Sequence, residues 1–96
     1  MTHVIFRKFR EGDIIALFPY EPYNRFDVDS INSYMHIGQH SEADYRHVMK
    51  ATKPCKDNEH QDLFNELIEQ GYDDLNIIEK RNHKTAVKNL KDNFDY

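Results

Sequence analysis

Tryptophan is absent from this chain of 96 residues, and there is one cysteine against three glycines and three prolines. Each scarcity excludes something. Cys55 alone can form neither an internal disulfide nor a cysteine-based zinc site. A lone thiol fits a reducing compartment, so a cytoplasmic location is expected. No apolar run approaches the ~20 residues that cross a bilayer. The first residues also lack the apolar core of a signal peptide, so neither membrane insertion nor export is expected. A basic excess is missing too: 13 Lys and Arg stand against 17 Asp and Glu, a formal charge of −4. That argues against direct binding of a nucleic-acid backbone, which needs a basic face. It is too mild to suggest a mimic of DNA.

What the chain does have is 39% apolar and 31% charged residues, with six Phe and six Tyr for bulk. This suits one small domain. A chain of this size buries at best about two thirds of its unfolded surface. Little room is left for a deep active site, and surface recognition becomes the default. The acids are unevenly spread. Residues 57–74 carry Asp57, Glu59, Asp62, Glu66, Glu69, Asp73 and Asp74 with no Lys or Arg, whereas the stretch from Lys80 is basic. Such a run is most often a solvated helix face.

The runs His3–Phe9 and Asp13–Phe18, joined around Gly12, predict a β-hairpin. The second is apolar at nearly every position and should be central or covered on both faces. Pro19 should end it, since proline cannot donate to a ladder. Tyr20–Ser30 reads as a long loop whose Tyr20, Tyr23 and Phe26 either cover the hairpin or face a partner. Ile31–Gly38 alternates, with Tyr34 and His36 on one side, and predicts a half-buried strand. Ser41 followed by Asp44 resembles a capping box and predicts a helix start there, with Pro54 ending that helix. Asp57 is the expected cap of a second helix, whose stripe Leu63, Phe64, Leu67 and Ile68 should face the sheet before Gly71 stops it. Leu75–Arg81 reads as a last strand. Together these predict an α+β two-layer sandwich: about four strands, antiparallel or mixed, with two helices on one face in the order β-β-β-α-α-β. Residues 1–81 form the domain, and 82–96 a tail that is helical or frayed.

The most chemically loaded stretch runs from Ser33 to Tyr45, Ser-Tyr-Met-His-Ile-Gly-Gln-His-Ser-Glu-Ala-Asp-Tyr. His36, His40, Asp44 and His47 would share a face of one continuous helix and could hold a divalent ion such as zinc. Gly38 and the capping signal break that helix, so metal binding by His36 and His40 is the alternative rather than the leading reading. A phosphate at the helix start would meet Glu42 and Asp44. His40, Ser41 and Asp44 have the residue types of a catalytic triad, yet no oxyanion-hole glycines accompany them. The mixture of Tyr34, His36, Gln39, His40, Asp44 and Tyr45 best suits a binding patch, or a polar cluster fastening strand to helix. No catalytic residue and no cofactor are expected.

The residues from Val4 to Pro19, the central stretch, Thr52-Lys53-Pro54 and Glu66-Leu67 with Gly71-Tyr72 resemble a family of small proteins carried by bacteriophages and plasmids. The likeness covers about residues 4–81, and its specific part is the central motif. The family has no assigned biochemical activity. The resemblance implies a mobile-element accessory protein in the host cytoplasm rather than an enzyme. On that reading it binds a host protein, inhibiting a host defence or nucleic-acid-processing protein. A homodimer stays open.

Overall fold

The structure, a computed structural model, describes residues 1–36 and 39–94, with residue 39 described by its backbone alone. The end of the strand expected over Ile31–Gly38 falls at Ile37 and Gly38, outside the described residues. β1 (Thr2–Phe9) and β2 (Ile14–Pro22) form the expected hairpin, in which Ile5 faces Leu17 and Lys8 faces Ile14. Gly12, at φ 105°, takes the left-handed turn position that a side chain would disfavour. β3 (Ser30–Met35) pairs antiparallel with β2, and β4 (Gln39–Asp44) pairs antiparallel with β3. Then follow α1 (Tyr45–Ala51), β5 (Thr52–Pro54), α2 (Gln61–Glu69), β6 (Leu75–Ile77) and α3 (His83–Phe94).

Six strands among the described residues make one mostly antiparallel sheet, ordered β4-β3-β2-β1. Beyond β1 the edge is shared. β5 pairs antiparallel with residues 7–9 of β1, and β6 pairs parallel with residues 2–4.

The pleat divides the core in two. Val4, Phe6, Ala16, Phe18 and Tyr34 point to one face and pack with Leu63 and Leu67 of α2. Ile5, Ile15, Leu17 and Ile31 point to the other, against Tyr45 and Val48 of α1. This is why β1 and β2 read as nearly continuous apolar runs. The two-layer expectation is thereby corrected: helices cover both faces of a larger sheet. α3 packs along β2 and buries Ala86. Its first turn is capped by Asn82, whose Oδ1 accepts from the Thr85 N–H.

Local expectations change for physical reasons. Pro19 is buried inside β2 and does not end it; the register between β2 and β3 shifts between Phe18 and Pro22, where a missing N–H is tolerated. The loop therefore begins at Tyr23. Ser41 caps nothing. It lies in β4 opposite Ser33, and the helix starts four residues later, with Asp44 Oδ1 accepting from the His47 N–H at 2.9 Å. α1 ends at Ala51, before Pro54. Asp57 sits at φ 48° ahead of α2, whose cap position is His60 without a side-chain bond. In α2, Leu63 and Leu67 are buried and Phe64 is half-buried, but Ile68 is 43% exposed. The last strand shrinks to three residues.

Candidate functional site

The central stretch is a β-hairpin, so residues expected on a helix alternate across a sheet instead. Tyr34 and His40 are direct cross-strand partners and share the face that α2 covers. Tyr34 is fully buried, and its ring centroid lies 5.0 Å from that of His40. The Tyr34 hydroxyl donates to Glu66 Oε1 at 2.7 Å and accepts from Gln70 Nε2 at 2.6 Å. The second oxygen of Glu66 meets His36 Nδ1 at 2.5 Å. Glu66 in the last turn of α2 and Gln70 at its C-cap stand four apart and so present to one side. One helix turn thus holds the buried phenol from both sides.

A second aromatic step rises beside it. Phe18, fully buried, stacks on Tyr72 at 5.3 Å with an interplanar angle of 11°. The Tyr72 hydroxyl lies 2.9 Å from His40 Nε2. Burial, and then the Glu21 carboxylate, push the Tyr72 phenol above its ordinary 10.0. It stays a neutral phenol at physiological pH, able to donate to His40. Both imidazoles lie at the solvent edge: His36 is 77% exposed in its side chain, and His40 is exposed. The result is a polar rim anchored on a buried aromatic floor.

The six residues singled out from the sequence do not form one patch. Tyr34, His36 and His40 come together. Asp44 is spent on the α1 cap, and Tyr45 lies on the opposite face, where its hydroxyl accepts from the Arg81 N–H. The Gln39 side chain lies outside the described residues. Glu66, Gln70 and Tyr72 carry no chemical mark in the sequence, since they sit within the acidic run of residues 57–74. The spacing of Glu66 and Gln70, flanking Leu67, was the usable signal.

For metal chemistry, His36 and His40 each already spend one ring nitrogen on a protein partner. Among the described residues no group of three or more His, Cys, Asp or Glu gathers as metal ligands would. The residue types of a triad also separate: Ser41 lies in β4 opposite Ser33, and Asp44 turns to its own helix.

Elsewhere, Cys55, Asp57 and His60 line a cavity of about 150 Å³. Burial, and then the Glu59 carboxylate, raise the Cys55 thiol above its ordinary 9.0, which leaves it protonated and a weak nucleophile. No helix among the described residues is long and apolar enough to cross a membrane.

Comparison with protein-family models, with curated proteins and with solved structures gives no match. The structure defines a class: a small α+β domain with, among the described residues, a six-stranded, mostly antiparallel sheet and an anchored histidine rim.

Proposed function

We propose that this protein is a binding module of a mobile genetic element, acting in the host cytoplasm by docking a host protein through the rim formed by His36 and His40. The observation that carries the reading is the division of labour at the rim. Tyr34, Glu66, Gln70 and Tyr72 hold the two imidazoles from beneath, while the imidazoles themselves remain exposed. Side chains fixed in advance lose less entropy on association, and an aromatic base with a polar edge is the composition interfaces favour. The resemblance of residues 4–81 to phage and plasmid proteins supports a host component as the target. Inhibition of a host defence or nucleic-acid-processing protein is the action we assign to it.

Stability and binding must be measured on the same variants. His36→Ala should leave stability within about 0.5 kcal/mol, as exposed substitutions do. Tyr34→Phe should cost about 1–2 kcal/mol, because it removes a buried hydroxyl that serves two partners. Captured on immobilised protein from bacterial lysate, a host partner should be retained by the wild type and lost by the His36→Ala/His40→Ala double variant. Retention by that folded double variant would refute the rim as the docking surface.

A further inference from the structure

A second surface lies at the opposite edge of the sheet, where β5 pairs with β1. Lys8 and Arg10 at the end of β1, with Lys50, Ala51, Thr52 and Lys53 at the α1–β5 junction, line an open depression of about 240 Å³. Four cations thus gather in one place on a chain of net charge −4. The β1–β5 register sets Lys8 directly opposite Lys53, an arrangement of like charges that costs stability.

Local structure does not require this concentration. One carbonyl in the last turn of α1 and that of its C-cap, which a cation often serves, are taken by Arg7. Its guanidinium donates to Met49 O at 3.1 Å and to Thr52 O at 2.8 Å. Glu59 neutralises Lys8 and lies within the field of Lys53. Among the described residues no ion pair engages Arg10 or Lys50.

From this juxtaposition we infer that the depression is a docking site for an acidic peptide segment of a protein partner, held by Arg10, Lys50 and Lys53. Charge complementarity selects an anionic occupant. Two observations favour a peptide over nucleic acid. No aromatic side chain lines the depression, so single-stranded bases find no stacking platform. Glu59 at its border begins the acidic α2 region, which would repel a phosphate backbone running past a site this short. None of the lining residues belongs to the His36–His40 rim, so the inference does not rest on that reading and its failure would leave that reading standing.

The test uses the full chain and two labelled probes, an oligoglutamate peptide and an oligothymidylate of equal charge, titrated by fluorescence anisotropy. The peptide should bind saturably, one per chain, and tighter than the oligonucleotide. Arg10→Glu/Lys50→Glu should weaken it by about tenfold or more, and added salt should weaken it further. These two cations are chosen because reversing them breaks no internal ion pair. Should the double reversal fail to fold, Arg10→Gln/Lys50→Gln should still weaken binding by about threefold. Absence of saturable peptide binding, or equal binding by a folded variant, overturns the inference. Tighter binding of the oligonucleotide through the same two residues overturns it as well, and makes the depression a nucleic-acid surface.

Discussion

Individual side chains in this molecule divide into those that hold and those that present, and burial alone does not sort them. Glu59 is only half-buried, yet Lys8 bonds its carboxylate and the Lys56 N–H donates to it at 2.7 Å. The Lys8 bond first, and the Lys56 amide second, hold its carboxyl below the ordinary 4.5. A folded-state value below the unfolded one adds stability above about pH 4.5, and this is lost as the pH falls through the depressed value. The melting temperature of the wild type should therefore exceed that of Glu59→Gln at about pH 7, and the gap should close towards about pH 3. A gap of constant size across that range would mean that ionisation of Glu59 is not its cause. At this scale the sequence was partly legible. Tyr34, His36 and His40 were found because polar and aromatic types were dense there. Glu66 was hidden because a carboxylate accepting a buried phenol looks, in sequence, like any acid on a solvated helix.

Among elements, β4 is the one the sequence concealed. It is an edge strand, Gln-His-Ser-Glu-Ala-Asp, and among its residues with described side chains all but Ala43 are exposed. A strand wet on both sides has no apolar alternation to betray it. Ser41 and Asp44 also stand at the spacing of a capping box, so the helix signal outweighed a strand that gave none. The hairpin makes a different use of these residues: Ser33 Oγ donates to the Ser41 carbonyl at 2.8 Å, and the true cap is Asp44. Asp44→Ala should consequently lower stability by about 1 kcal/mol, whereas Ser41→Ala should change it by less than about 0.5 kcal/mol. Urea denaturation of both variants checks this, and a larger loss at Ser41 would show that Ser41, not Asp44, caps the helix. By contrast, α2 was readable because Leu63 and Leu67 follow the helical period strongly enough to decide its orientation.

Across the whole molecule, the layers are tied together at Arg81, which the sequence placed at the end of the domain without marking it as special. Its guanidinium donates to Val28 O at 2.9 Å, pairs with Asp29 and lies 4.1 Å over the Tyr45 ring, with only 4% of the side chain exposed. Its backbone N–H donates to the Tyr45 hydroxyl, and the next residue, Asn82, donates its N–H to the Tyr20 hydroxyl at 2.8 Å. A single joint thus binds the loop before β3, the first residue of α1 and the entry to α3. Such a joint is built from contacts distant in sequence, so no local pattern announces it. Arg81→Ala should destabilise the fold by about 3 kcal/mol, since it leaves a shielded carboxylate with only the more exposed Arg46 at 3.2 Å. A loss under about 1 kcal/mol, measured by chemical denaturation, would show that Arg46 suffices. The shared edge of β1 has a consequence in time rather than in space. Its first residues, Thr2 to Val4, find their parallel neighbour only at Leu75 to Ile77, which are synthesised much later. Until β6 has been made that edge waits with unpaired amides, while the β1–β2 hairpin beside it can already close. Pairings so far apart along the chain form slowly, so the nascent protein carries an adhesive border until its closing segment arrives.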